Sequence, residues 1–142
     1  MSRVTDIVCQ RELFRVEVHD SVAVVAQKMT DLHVGAILVF KGEELRGVFS
    51  ERDLMKRVVV ERCDPERTSV GQVMSTDVAT IHDSATLEEA MESMRSHNCR
   101  HLPVTRDGRV VAFLSMRDLM NYELAQKTEE IHHMRAFISS NA

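Results

Sequence analysis

The 142-residue chain has few aromatic residues, no tryptophan and only three cysteines. Five Phe and one Tyr give single-stranded nucleic acid little surface to stack on, and 18 basic residues against 22 acidic ones leave no basic excess. Cys9, Cys63 and Cys99 are widely spaced and form no Cys-x-x-Cys pair, which argues against a zinc ribbon or a disulfide framework. No apolar run approaches the ~20 residues of a membrane span, and the first ten residues carry two charges where a signal peptide is apolar. We therefore expect a cytoplasmic protein without nucleic-acid or membrane partners.

The chain does contain an internal repeat. Sliding the sequence by 65 positions lays residues 29–55 on residues 94–120, and the identities concentrate in a shared Ser-x-Arg-Asp-Leu-Met string. Upstream, a His-Asp-Ser triplet ending at Ser21 matches one ending at Ser84 at an offset of 63, which implies small insertions between the blocks. The repeat predicts one unit over residues 4–60, a linker over 61–69, a second unit over 70–122 and a tail over 123–142.

Hydrophobic periodicity predicts an α/β (α+β) fold in which each unit has the order β-α-β-β-α. The predicted helices span residues 22–32 and 86–96, and each is followed by a hairpin whose turn contains Gly42 or Gly108. Four methionines are predicted to lie in the core: Met29, Met55, Met94 and Met120. Because units of about 55 residues bury too little surface alone, we expect the two to pack face to face. The tail predicts an amphipathic helix that packs either on its own chain or on a partner.

The repeated strings Gly-Val-Phe-Ser-Glu-Arg-Asp and Ala-Phe-Leu-Ser-Met-Arg-Asp each fall where a strand is predicted to meet a helix. A helix start favours anions, a small strand residue lets a ligand approach, a hydroxyl can donate to phosphate, and a carboxylate can accept from a ribose diol. The same Ser-x-x-Asp spacing also predicts helix capping, and both roles are compatible. Recurrence of the arginine favours an anion. The candidate residues are Ser50, Arg52 and Asp53 in the first copy and Ser115, Arg117 and Asp118 in the second.

These two strings, the segments at residues 35–39 and 100–104, and the β-α-β-β-α order together resemble a tandem pair of CBS (cystathionine β-synthase type) domains, also called a Bateman module. The residues of the two motifs are similar to those of the small stand-alone bacterial members of the family. The resemblance implies two units packed about a pseudo-twofold axis, with clefts that hold AMP, ADP, ATP or NAD(H). It also implies association of two chains as a disc-like homodimer.

The resemblance further implies particular contacts. Asp53 and Asp118 would hold ribose hydroxyls, and the backbone before each His-Asp-Ser triplet would contact adenine. Arg100, His101 and Arg117 would make one cleft the stronger, whereas Gly35 replaces a basic residue and Ala112 replaces a glycine in their copies. The implied nucleotide-binding set is Val16, Val18, Gly35, Ala36, Ser50, Arg52, Asp53, Thr80, Ile81, Arg100, His101, Pro103, Ser115, Arg117 and Asp118.

No pattern in the sequence nominates a catalytic nucleophile with an oriented base, so we expect a regulatory protein rather than an enzyme, without a catalytic cofactor. His132 and His133 are adjacent and point about 100° apart on a helix, which argues against a metal site. The prediction is a sensor that binds an adenosine-containing ligand and acts on an unknown effector protein. The alternative is a constitutive dimerisation scaffold whose clefts are empty.

Overall fold

The computed structural model describes residues 1–9 and 11–140 and confirms the mixed α+β class, with two three-stranded sheets and a C-terminal helix. The first half contains α1 (Thr5–Val8), β1 (Arg15–Glu17), α2 (Val22–Leu32), β2 (Ala36–Lys41), β3 (Glu44–Ser50) and α3 (Glu51–Asp53), which continues as a π-helical segment, Leu54–Val59. The second half contains α4 (Val70–Val73), β4 (Ile81–His82), α5 (Leu87–Ser96), β5 (His101–Arg106), β6 (Arg109–Ser115) and α6 (Met116–Ser140).

The two sheets have the same topology. In each, a short first strand pairs in parallel with the middle strand, and the middle strand forms an antiparallel hairpin with the third. Gly42 and Gly108 adopt positive φ angles of 62° and 75° in the hairpin turns, a conformation that glycine adopts without a steric cost. The predicted hairpins are therefore confirmed in both units.

The equivalence of the two His-Asp-Ser triplets is wrong. Ser21 caps α2 by accepting a hydrogen bond from a backbone N–H, and the residue that caps α5 in this way is Thr86, not Ser84. The structural offset at this point is thus 65, the same as in the rest of the repeat. His82 belongs to strand β4, whereas His19 lies in the turn after β1. The similarity of three polar residues was a weaker guide to register than the strand pairing, in which Val16 opposite Val39 corresponds to Ile81 opposite Val104.

Each unit is completed by a short helix from the other unit's part of the sequence. Val4 and Val8 of α1 lie in the core of the second unit, and the Val4 N–H donates to the carbonyl of Ala85 at 2.9 Å. Val70 of α4 lies in the core of the first unit and donates to the carbonyl of Asp20 at 2.8 Å. This exchange ties the units together and brings the segments that follow α1 and α4 to the two repeated motifs.

The four repeat methionines divide into a buried and an exposed pair. Met29 and Met94 are buried as predicted, but Met55 and Met120 are 55% and 61% exposed, so their predicted core placement is wrong. Both exposed residues lie on the helical segment that follows a repeated motif, on the side away from the core. Among the described residues, no helix combines the length and apolar character needed to cross a membrane.

Candidate functional site

The first motif is a helix cap. The side-chain oxygen of Ser50, at the end of β3, accepts from the Asp53 N–H at 3.2 Å, and Asp53 Oδ2 accepts in return from the Ser50 N–H at 3.0 Å. The Ser50 hydroxyl also donates to Asp53 Oδ2 at 3.1 Å. The predicted capping role is confirmed, and it holds a carboxylate whose side chain is only 9% exposed.

A segment that follows α4 completes the surroundings of Asp53. Ser75 donates its hydroxyl to Asp53 Oδ1 at 3.0 Å, and the Arg57 guanidinium lies 3.8 Å from the same oxygen. Two backbone hydrogen bonds of 2.9 Å join Ser75 to Val48 on β3. A Cβ on Gly47 would lie 2.5 Å from the Ser75 carbonyl oxygen, so this glycine makes room for the chain itself and not, as expected from sequence, for a ligand.

A cleft of about 1120 Å³ opens between the first motif and the second unit. On one side it is lined by the motif, by the start of β2 and by the stretch after Ser75; on the other it is lined by α5 and the turn that leads into β5. The volume suits a nucleotide-sized ligand. Seven residues of the sequence-based set line this cleft: Gly35, Ala36, Ser50, Arg52, Asp53, Arg100 and His101.

The other eight predicted residues lie outside that lining. The side chains of Val16 and Ile81 are buried in the two cores, Pro103 is buried in β5, and Thr80 is exposed just before β4. Val18 donates its N–H to the carbonyl of Phe40 beyond the end of β1. Ser115, Arg117 and Asp118 form the second motif at the start of α6, so Arg117 does not join Arg100 and His101 in this cleft as expected.

The cleft also contains residues that the sequence did not nominate. Arg95 and His97 at the end of α5 add basic groups, and Met91 adds an apolar wall. Four carboxylates besides Asp53 also line the cleft, Glu51, Asp77, Glu88 and Glu92, and the last of these is paired with Arg95. The helical pattern of α5 marks its buried face but not which exposed residues meet the first unit. Their identification therefore required the packing of the two units against each other.

His101 occupies a half-buried place between the two motifs. Burial is the main reason that its pKa is lowered from the ordinary 6.5, and Arg100 lowers it further, while the charges of Asp118 and Glu51 act in the opposite direction. Its ring centroid lies 5.1 Å from that of Phe113. The imidazole is thus predominantly neutral at pH 7 and can donate one hydrogen bond from its ring.

Cys99 is the thiol nearest in sequence to this histidine. Burial raises the pKa of Cys99 above its ordinary value of 9.0, although a backbone hydrogen bond from His101 acts to lower it. An activated nucleophile has the opposite shift. Within residues 1–9 and 11–140, no three His, Cys, Asp or Glu side chains are grouped so that they could hold a metal ion.

The second motif has the same cap but a different neighbour. Asp118 Oδ2 accepts from the Ser115 N–H at 2.8 Å, and the Ser115 side chain accepts from the Asp118 N–H at 3.0 Å. Arg11, which follows α1, forms two hydrogen bonds with the carboxylate at 2.8 and 3.1 Å. Burial acts to raise the pKa of Asp118, but the hydrogen bonds from Arg11 and Ser115 and the charge of Arg11 outweigh it, so the pKa is lowered below 3.8.

The lining of the cleft near β2 depends on the absence of a side chain at Gly35. A Cβ there would clash with Glu51 Oε1, so the Glu51 side chain occupies the space above this glycine. The corresponding position of the second unit carries Arg100, whose carbonyl accepts from Met116 as that of Gly35 accepts from Glu51. The cleft beside Asp53 therefore has the Glu51 side chain above Gly35 and Arg100 at the equivalent position of the second unit.

Comparison with known proteins shows which family has this architecture. The family profile for the CBS domain matches residues 4–60 and 70–125. The chain is 30% identical over 132 residues to the protein YlbB of Bacillus subtilis, covering 92% of this chain and 86% of that one. Three CBS domain-containing proteins of Arabidopsis thaliana also match, and the chain spans 60%, 19% and 17% of their lengths.

Solved structures give the same result. The crystal structure of the CBS domain protein NE2398 superposes with a TM-score of 0.83 at 31% identity, covering 87% of this chain and 99% of the other. The CBS domain protein PAE2072 of Pyrobaculum aerophilum, solved in complex with AMP, superposes with a TM-score of 0.75 at 26% identity, covering 82% and 89% of the two chains. With both halves of the chain matched, the protein belongs to the CBS domain family and carries two CBS domains in tandem.

Proposed function

We propose that the chain is a non-enzymatic regulatory module that binds an adenine nucleotide in the cleft beside Asp53. The observation that carries this proposal is the composition of the cleft, in which a buried, hydrogen-bonded carboxylate shares the lining with Arg52, Arg100 and His101. Arg95 also lines the cleft but is paired with Glu92, and Glu51, Asp77 and Glu88 add acidic groups. The complex of PAE2072 with AMP supports AMP as the first ligand to test, with ADP, ATP and NAD(H) after it.

The chemistry of the lining divides into three parts. Asp53 accepts three hydrogen bonds and a carboxylate has about four acceptor positions, so about one position remains for a ribose hydroxyl. The guanidinium of Arg100 and the imidazole of His101 offer donors to phosphate. Met91 and Val78 offer an apolar surface for the base. Each part of an adenosine phosphate thereby has a matching group.

The signal would be a change in how the two units sit against each other. The cleft lies between the units, and a ligand shifts their arrangement only to the extent that it binds one arrangement more tightly. An effector protein would recognise the favoured arrangement. We also propose that two chains associate, because Met55 and Met120 occupy equivalent exposed positions in the two units.

A constitutive scaffold is the second candidate, and one observation favours it. Both motif carboxylates already have partners within the chain: Ser50 and Ser75 donate to Asp53, and Ser115 and Arg11 donate to Asp118. If these contacts are permanent, the motifs serve only to cap helices and to join the units.

Thermal unfolding in the presence of AMP, ADP, ATP, NAD, NADH and S-adenosylmethionine separates the two candidates. A ligand at a hundredfold excess over its dissociation constant should add about 2.7 kcal/mol to the free energy of unfolding. The sensor predicts such a shift with at least one of these compounds. No shift with any of them would contradict the sensor and favour the scaffold.

A pair of arginine variants localises the binding. Arg100→Ala removes a basic group from the cleft, whereas Arg109→Ala removes one from the exposed start of β6, outside its lining. We expect Arg100→Ala to weaken nucleotide binding by roughly ten- to a hundredfold, because a charge-assisted hydrogen bond contributes about 1.5–3 kcal/mol. Arg109→Ala should leave the affinity unchanged. Equal effects of both variants would place the ligand elsewhere.

A further inference from the structure

Helix α6 extends well beyond the body of the protein. Leu119 on its first turns is fully buried in the second core, and Tyr122 packs against the same core. From Glu123 to Ser140 every residue is exposed. Five of these residues are large and apolar and are between 50% and 71% exposed: Leu124, Ile131, Met134, Phe137 and Ile138. The predicted amphipathic helix therefore exists, but its apolar residues are not buried against its own chain.

Most of the exposed apolar residues of α6 follow a heptad pattern, and Phe137, at position g, is the exception. With Leu124 as position a, the a positions are Leu124, Ile131 and Ile138, and the d positions are Met120, Lys127 and Met134. The spacing alternates between four and three residues along the whole series, which places all six on one stripe. We call this stripe the heptad seam. Leu119 and Tyr122 occupy positions c and f, so the seam points away from the body.

We propose that the heptad seam pairs with the same seam of a second copy of this chain, in a parallel two-stranded coiled coil. Ile131 and Ile138 at a positions favour two strands, because β-branched residues pack well there in parallel dimers. Lys127 at a d position lowers the stability of the pairing and opposes a larger bundle, in which its charge would be more completely buried.

The flanking charges fix the direction of the pairing. In a parallel coiled coil, position g contacts position e of the next heptad in the partner, which places Glu130 of each chain beside Arg135 of the other. In an antiparallel arrangement, g positions contact each other, and Glu130 would face the partner's Glu130. Opposite charges therefore accompany the parallel arrangement and like charges the antiparallel one.

This inference rests on the proposed association of two chains and identifies the surface responsible. The seam spans less than three heptads, which is short for an independent coiled coil, but it begins at Met120 against the body. Exposed apolar residues continue there on the first unit, at Met55 and Val59, which correspond to Met120 and Leu124. A contact between bodies thus supports the contact between helices.

Sedimentation equilibrium of the full chain, with Ile131→Asp and Ala136→Asp as a matched pair, tests the seam. Ile131 is at an a position and Ala136 at an f position, and both are exposed in one chain, so neither change should impair folding. We expect the wild type and Ala136→Asp to have twice the 16.2 kDa chain mass. Burying an unpaired charge in the seam should raise the dissociation constant of Ile131→Asp about a hundredfold or more.

A monomeric wild type, or an Ile131→Asp variant that dimerises as tightly as Ala136→Asp, would overturn the proposal. Titration of AMP into Ile131→Asp shows whether a failure of the heptad seam also affects nucleotide binding in the cleft. Nucleotide binding that survives in a chain without dimers would leave the sensor intact and remove only the seam.

Disulfide formation tests the direction. In a chain whose three native cysteines are replaced by serine, Ile138→Cys places two a-position thiols together only in a parallel pair. Oxidised glutathione should convert this variant to a covalent dimer, whereas Glu129→Cys, at an outward f position, should remain largely monomeric in denaturing gels. No cross-link at position 138, or equal cross-linking of the two variants, would overturn the parallel pairing.

Discussion

The two repeated motifs have the same cap and different neighbours. The same two reciprocal hydrogen bonds join Ser50 to Asp53 and Ser115 to Asp118. The Ser-x-x-Asp spacing alone determines this pattern. The group that reaches each carboxylate is Ser75 in one case and Arg11 in the other. Ser75 follows α4 and Arg11 follows α1, the two short helices that each pack in the core of the other unit.

This difference separates the possible roles of the motifs. At Asp53 the Ser75 hydroxyl is neutral and the Arg57 guanidinium lies 3.8 Å from Oδ1, which is too long for a hydrogen bond. At Asp118 the Arg11 guanidinium forms two hydrogen bonds of 2.8 and 3.1 Å, so the charge of Asp118 is the more fully neutralised of the two. The repeat thus duplicates the cap, whereas the groups that surround the two carboxylates differ. We expect the cleft beside Asp53 to be the principal nucleotide site. It contains Arg100 and His101, two of the three residues from which the sequence predicted a stronger cleft, but not the third, Arg117.

The largest expected effect is that of Gly47→Ala. The new Cβ would lie 2.5 Å from the Ser75 carbonyl oxygen and 2.8 Å from Met74 Sδ, so backbone must move. We expect the free energy of unfolding, measured with urea, to fall by about 2–3 kcal/mol. The reverse exchange at the matching position, Ala112→Gly, should cost only about 1 kcal/mol. A smaller loss for Gly47→Ala than for Ala112→Gly would contradict the close approach of Ser75.

Removal of the two carboxylates should rank next. Asp53→Ala leaves the Ser50 N–H and the Ser75 hydroxyl without their buried acceptor, and we expect a loss of about 2 kcal/mol. Asp118→Ala releases Arg11, whose side chain is 37% exposed and can be hydrated, so about 1 kcal/mol is expected. Urea unfolding of both variants measures the difference. Equal losses would mean that the neighbours of the carboxylates do not matter for stability.

The ion pair between Arg11 and Asp118 should contribute less to the free energy of unfolding, and its contribution should depend on pH. Because the folded pKa of Asp118 is lowered, its stabilising contribution is complete above the ordinary value of 3.8 and is lost as the pH falls through the lowered pKa. Arg11→Ala should raise the pKa of Asp118, followed by NMR of the side-chain carboxyl, and should reduce stability at pH 7 by about 0.5 kcal/mol.

Arg109→Ala is the control for this prediction, since Arg109 is exposed at the start of β6. It should leave the pKa of Asp118 and the acid limb of the stability profile unchanged. An unaltered carboxyl pKa in Arg11→Ala would show that the ion pair does not form in solution.

The smallest effect is expected for Gly35→Ala, the same substitution as Gly47→Ala at a different kind of contact. Its Cβ would meet the end of the flexible Glu51 side chain and not backbone, so Glu51 can swing aside. We expect a change in unfolding free energy within about 0.5 kcal/mol. A loss as large as that of Gly47→Ala would show that Glu51 is held rigidly over β2.

The local elements could be predicted from sequence because each depends on neighbouring residues. The span of α2, both hairpin turns and both Ser-x-x-Asp caps follow from periodicity, from glycine and from capping rules. The π-helical continuation of α3 was missed, since the apolar spacing after Asp53 resembles that of an ordinary helix. Met55 and Met120 were misplaced because the spacing cannot distinguish a core from an exposed apolar face.

The candidate site was predictable in part. The residues of the first motif, with Arg100 and His101, were identified because they belong to the repeat and its matching blocks. Ser75 and Arg11 could not be found, because their contacts depend on which unit each short helix joins. Arg95 and His97 depend in the same way on the packing between units.

Calorimetric titration of AMP into the wild type, Asp53→Ala and Asp118→Ala tests the central claim most directly, with circular dichroism to verify that each variant is folded. The account predicts saturable binding to the wild type and to Asp118→Ala, and loss of binding in Asp53→Ala. Undiminished binding in Asp53→Ala, or loss of binding in Asp118→Ala alone, would contradict it.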